Sequence, residues 1–91
     1  MKEKNLERAL REKCKAMGGW SFKLIPLHVN GLPDRICLFP GGRVFFAEMK
    51  STGEQPSDIQ KVIIARLRKL GFRVEVIDRR TRLDKILKDY E

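Results

Sequence analysis

Residues 33–50 read PDRICLFPGGRVFFAEMK, two short apolar runs on either side of a Pro-Gly-Gly turn. Arg35-Ile36-Cys37-Leu38-Phe39 is the first run, and Arg43-Val44-Phe45-Phe46-Ala47-Glu48-Met49-Lys50 is the second. A connection that short predicts an antiparallel hairpin. With residues 40–42 as the loop, Phe39 pairs with Arg43. The same register carries back to Asp34 opposite Glu48. Side chains two apart on a strand share a face, so Glu48 and Lys50 point the same way. Val44 and Phe46 have the same parity as Glu48, which therefore continues an apolar face. A carboxylate there needs a compensating partner.

Outward from the hairpin, the chain alternates in type. Leu6, Ala9, Leu10, Cys14 and Met17 recur at spacings of three and four and predict an amphipathic first helix. Asn5 is a candidate cap and Gly18-Gly19 a stop. Trp20 to Leu27 alternates as a strand ended by Pro26. His28 to Asp34 is rich in turn formers. Ser57 with Gln60 three residues on predicts a capping box at the start of a second helix. Ile59, Val62, Ile63, Arg66, Leu67 and Leu70 follow helical spacing, and Gly71 stops it. Phe72 to Ile77 alternates as a strand. A last helix begins at Asp78 or Thr81, with Leu83, Ile86, Leu87 and Tyr90 on one side. The expected fold is α/β, in α-β-β-β-α-β-α order. It is one mixed sheet with flanking helices, and a single domain over residues 1–91.

The whole-chain arithmetic agrees. Ninety-one residues supply one core. Hydrophobic residues are 42% and charged residues 35%, the balance of a folded domain rather than a disordered tail. Lys and Arg number 20 against 12 Asp and Glu, a formal charge of +8. That excess calls for a polyanion: nucleic acid or an acidic membrane surface. No helix combines an aromatic face with a basic one, which argues against the membrane surface. No apolar run approaches the roughly 20 residues that cross a bilayer. The N-terminus lacks the apolar core of a signal peptide, so a cytoplasmic setting is expected. Two cysteines, Cys14 and Cys37, are too few for a disulfide scaffold or a four-ligand zinc site and read as core residues. The single histidine, His28, reads as a solvated loop residue, the other reading being a general base or phosphate contact before Asp34.

Two carboxylates held side by side repel, and either one protonates or a cation joins them. Magnesium suits such a pair, because it takes oxygen ligands from one or two carboxylates and from phosphate. It also neutralises phosphoryl charge and acidifies water. Lys50 beside the pair would position that water or stabilise developing charge. These parts suffice for phosphodiester hydrolysis.

Pro33-Asp34 followed by Glu48-x-Lys50 resembles the PD-(D/E)xK nuclease signature. Glu7 in the first helix, Gly31-Leu32 before Pro33-Asp34, Gln60 in the second helix and Gly71-Phe72-Arg73-Val74 narrow it. Together they resemble the VRR-NUC domain, the virus-type replication and repair nuclease module, over nearly the whole chain. The resemblance implies a metal-dependent DNA endonuclease using Mg²⁺ or Mn²⁺. It implies Asp34 and Glu48 as direct ligands, with the Met49 backbone carbonyl as a third and Glu7 acting through water. Lys50 would be the catalytic lysine, and Gln60 would orient it or the scissile phosphate. Stand-alone members resemble archaeal Holliday-junction resolvases, which implies branched DNA as substrate and a homodimer.

Several of these residues have a second reading. Asp34 after Pro33 also suits a turn. Gln60 is accounted for by the capping box, and Glu7 by the dipole of a helix first turn. Glu48 and Lys50 also suit the solvent face of an edge strand. Arg8, Arg11, Arg35, Lys61 and Arg66 are candidate contacts to the phosphate backbone. Trp20 and Phe22 could stack bases or pack. The rival functions are a non-catalytic nucleic-acid-binding module of the same fold and an oligomerisation protein.

Overall fold

A computed structural model of the chain describes residues 2–25 and 27–91. The first helix, α1, spans Glu3–Ala16. It starts before Asn5, with Lys2 at the cap position and no side-chain cap. Leu6, Ala9, Leu10 and Cys14 are its buried stripe, as the spacing requires. Gly18 lies at φ 77°, which ends the helix. Gly19 admits no side chain, since a Cβ there would meet the Leu38 carbonyl oxygen at 2.5 Å.

Strand β1 is Trp20–Lys23, β2 is Arg35–Phe39 and β3 is Arg43–Met49. β1 is shorter than the alternation predicts, and Pro26, the expected stop, lies outside the described residues. The sheet order is β1-β2-β3-β4. Phe39 pairs with Arg43 and Arg35 with Ala47, so the hairpin has the register that its three-residue loop predicts. Helix α2, Asp58–Lys69, crosses to β4, Val74–Ile77, which runs parallel to β3. Helix α3, Arg80–Lys88, has Arg79 at its cap position rather than Asp78 or Thr81.

Alternation divides the sheet into two faces. Cys37, Phe39, Phe45, Ala47, Met49 and Ile77 form the main core with Leu6 and Leu10 of α1 and Leu83, Ile86 and Leu87 of α3. Tyr90 closes it, stacked on Phe39 at 4.6 Å between centroids. Both cysteines are free and fully buried in this core. An ion pair between Lys13 and Asp84 ties α1 to α3.

The other face carries α2. The helical spacing of Ile59, Val62 and Leu70 gives the stripe, but it does not lie wholly against the sheet. These three residues are 53%, 62% and 68% exposed, and Ile64 is the buried residue of the helix. A helical apolar period shows that a stripe exists. It does not show which part of a broad stripe the sheet covers.

Candidate active site

The site forms where β2 begins and β3 ends. Asp34 sits one residue before β2, and its backbone oxygen accepts from Leu24 N–H at 2.7 Å. Its carboxylate Oδ2 accepts from Met49 N–H at 2.8 Å. The register places Asp34 opposite Glu48, the last residue but one of β3. Lys50 follows, anchored by its own N–H to the Ile77 carbonyl of β4 at 3.0 Å.

Glu48 is fully buried. Its Oε2 accepts from Gln60 Nε2 at 2.6 Å and lies 3.1 Å from Lys50 Nζ. Its Oε1 is buried and, among the described residues, has no hydrogen-bond partner. Burial pushes the Glu48 carboxyl above its ordinary range, and the nearby Asp34 charge pushes it further, against the pull of Lys50. Asp34 is also raised, first by burial, with the Met49 N–H and Lys50 opposing. Neither pattern is that of a surface carboxylate on an edge strand.

Gln60 forms the expected capping box, and its side chain also reaches Glu48 rather than Lys50. Ser57 Oγ accepts from Gln60 N–H at 3.3 Å, and Gln60 Oε1 accepts from Ser57 N–H at 2.9 Å. The capping box uses the amide oxygen and leaves the amide nitrogen to hold Glu48.

Glu7 borders this group and is engaged by cations. It lies 3.5 Å from Arg35 Nη1 and 3.9 Å from Lys23 Nζ. Arg35 also donates to Ser21 Oγ and to the Ser21 carbonyl oxygen, each at 3.1 Å. Arg35 is 3% exposed. That corrects its assignment as a DNA contact: a guanidinium this buried, turned to Ser21 and Glu7, is out of reach of a phosphate backbone. Arg8, Arg11, Lys61 and Arg66 are exposed. His28 is an exposed loop residue.

Glu3 was missed. It is exposed at the start of α1, and its carboxyl is raised by partial burial and by the charges of Asp34 and Glu7. The signal was available, because Glu3 lies four residues before Glu7 on one helix face.

Among the described residues no set of three or more His, Cys, Asp or Glu is gathered as a metal centre. The donors that come together are two, Asp34 and Glu48. Both are oxygen donors with raised pKa, and one has an unpartnered buried atom. That chemistry suits a hard divalent cation, which would take the unpartnered oxygen and relieve the repulsion.

No family model matches the chain. A curated protein named "Putative nuclease p44", from Acyrthosiphon pisum secondary endosymbiont phage 1, is 35% identical over 78 residues, covering 86% of this chain and 84% of that protein. A solved structure titled "VRR_NUC domain" superimposes with a TM-score of 0.90 at 29% identity, covering 98% of this chain and 97% of the other.

Proposed function

The chain belongs to the VRR-NUC nuclease family, and from that premise we propose that it is a divalent-cation-dependent DNA endonuclease selective for branched DNA. The observation that carries the reading is Glu48. A fully buried carboxylate with one oxygen held by Gln60 and Lys50 and the other unpartnered is costly unless it serves a ligand.

Asp34 and Glu48, with the Met49 carbonyl, would hold Mg²⁺ or Mn²⁺. When bound, the cation supplies positive charge at the scissile phosphate and acidifies a water. The chain's own groups do the rest. The Met49 N–H fixes the Asp34 carboxylate. Gln60 and Lys50 hold Glu48 in one orientation. Lys50, its side chain 19% exposed, offers an ammonium to the attacking water or to the charge that builds on the phosphate oxygens. Water forms the new phosphorus–oxygen bond as the bond to the departing sugar oxygen breaks, and a proton passes to that oxygen. Glu7, steadied by Arg35, and Glu3 add negative charge that draws the cation in. Arg8, Arg11, Lys61 and Arg66 contact the phosphate backbone, and the charge of +8 steers it.

A homodimer fits the outward apolar residues of α2. Ile59, Val62 and Leu70, with Phe72 at 43% exposure, make a patch of the kind that a partner usually covers. A second copy would present the same patch about a twofold axis and bring two sites to one junction.

The test is cleavage of labelled duplex, flap, single-strand and four-way-junction DNA, each with EDTA, Mg²⁺ or Mn²⁺. Metal-dependent cutting that is fastest on branched DNA is the expected result. Binding without cutting under every metal would leave the non-catalytic binding module.

A further inference from the structure

Residues four apart on a helix lie in a row. Glu3, Glu7, Arg11 and Lys15 therefore form one row along α1. The row starts at the carboxylate group, where Glu7 meets Lys23. It ends at a groove of about 450 Å³ lined by Arg11, Lys15, Gly19, Trp20 and Ser21. β1 is the outer strand of the sheet, so this side is open. Among the described residues neither Arg11 nor Lys15 is in an ion pair, whereas Lys13, one turn face away, is paired with Asp84. Trp20 is 66% exposed, with its ring tilted against Phe22 at 4.7 Å between centroids.

Trp20 packs on Phe22 through part of its ring and leaves the rest of that ring open on the edge strand. Two free cations spaced one helical turn apart match the separation of neighbouring phosphates on a strand. Aromatic rings beside a basic track are the common means of holding unpaired nucleotides without reading their sequence. A duplex keeps its bases stacked on one another, so only an unpaired nucleotide can lay a base on Trp20. Resting on the nuclease reading above, we infer that this groove holds an unpaired arm of the DNA substrate, with phosphates on Arg11 and Lys15 and a base stacked on Trp20.

Trp20 is the single tryptophan of the chain, so its fluorescence reports this groove alone. The full-length protein is titrated in EDTA with an eight-nucleotide oligothymidine and, separately, with a blunt duplex. Saturable quenching by the oligothymidine, reversed by added salt and absent with the duplex, is expected. Anisotropy of fluorescein-labelled oligothymidine should show about tenfold weaker binding by Trp20→Ala, and weaker binding again by Lys15→Glu. Equal quenching by the duplex would overturn the single-strand assignment. An unquenched emission that shifts to the blue as protein concentration rises would overturn it too, and would put Trp20 between copies of the chain. Metal-dependent cleavage by the same unsubstituted protein is scored in parallel. Intact cleavage without quenching removes the groove and leaves the nuclease, whereas quenching without cleavage does the reverse.

Discussion

Gln60 Nε2 lies 2.6 Å from Glu48 Oε2, while the other end of the same amide caps α2. One side chain thus fixes the start of a helix and the orientation of a buried carboxylate. The two roles separate by substitution. Gln60→Glu keeps the capping box, since Glu serves at that position as well as Gln, but sets a second carboxylate against Glu48. Thermal stability should fall by about 1–3 kcal/mol through the lost donor and the repulsion while the helix start stays intact, and cleavage should fall by about tenfold to a hundredfold. Gln60→Ala should lose both the cap, at a cost of about 1 kcal/mol, and the rate.

Arg35 is a structural cation and the other candidate basic residues are not. Arg35→Ala leaves Glu7 and Ser21 without their buried donor and should destabilise the fold by about 3 kcal/mol in denaturant titration. Lys61→Ala should leave stability nearly unchanged and lower the salt slope of DNA binding by about one. Unchanged stability in Arg35→Ala would return that residue to the surface set.

The pH dependence of stability should have two opposed parts. Glu48 and Asp34 have raised folded-state pKa values. Their folded forms bind protons more tightly than the unfolded chain does. In EDTA their contribution is therefore fully present below the ordinary carboxylate range and is lost as pH rises through the raised values. Asp78 behaves oppositely. Hydrogen bonds from Arg79 and the Gly53 N–H lower it to about 2, so its contribution is present above the ordinary aspartate value and is lost as pH falls toward about 2. Melting curves of Glu48→Gln and Asp78→Asn against the unsubstituted protein, from pH 2 upward, should show these opposite slopes. A divalent cation should flatten the Glu48 and Asp34 part and leave the Asp78 part.

The hairpin register was legible because a Pro-Gly-Gly loop leaves little freedom in how two strands pair. From it followed Asp34 opposite Glu48, and the same parity carried Lys50 to their side. What was not legible depends on contacts that a pattern does not encode. Arg35 has the parity of Cys37 and Phe39, which marks it as inward, but a basic residue beside Asp34 reads equally well as a phosphate contact. Only the positions of Ser21 and Glu7 decide between the two. The stripe on α2 was visible, yet which side of it is covered depends on how α2 rests on β4, with Ile64 the residue that is buried.

The patch on α2 makes its own prediction. Val62→Lys or Leu70→Glu should convert a dimer to a monomer in sedimentation velocity without lowering thermal stability by more than about 1 kcal/mol, since both positions are exposed. A monomer at every concentration in the unsubstituted protein would remove the homodimer.

Asp34 paired with Glu48 as the seat of a cation is the centre of the proposed chemistry. The most direct measurement is Mn²⁺ binding by calorimetry, beside cleavage of a four-way junction, for the unsubstituted chain, Asp34→Asn and Glu48→Gln. Cation binding and cleavage in the unsubstituted protein, each lost together in both variants while the fold persists, is the predicted result. Cleavage by Asp34→Asn or Glu48→Gln at the unsubstituted rate would contradict it.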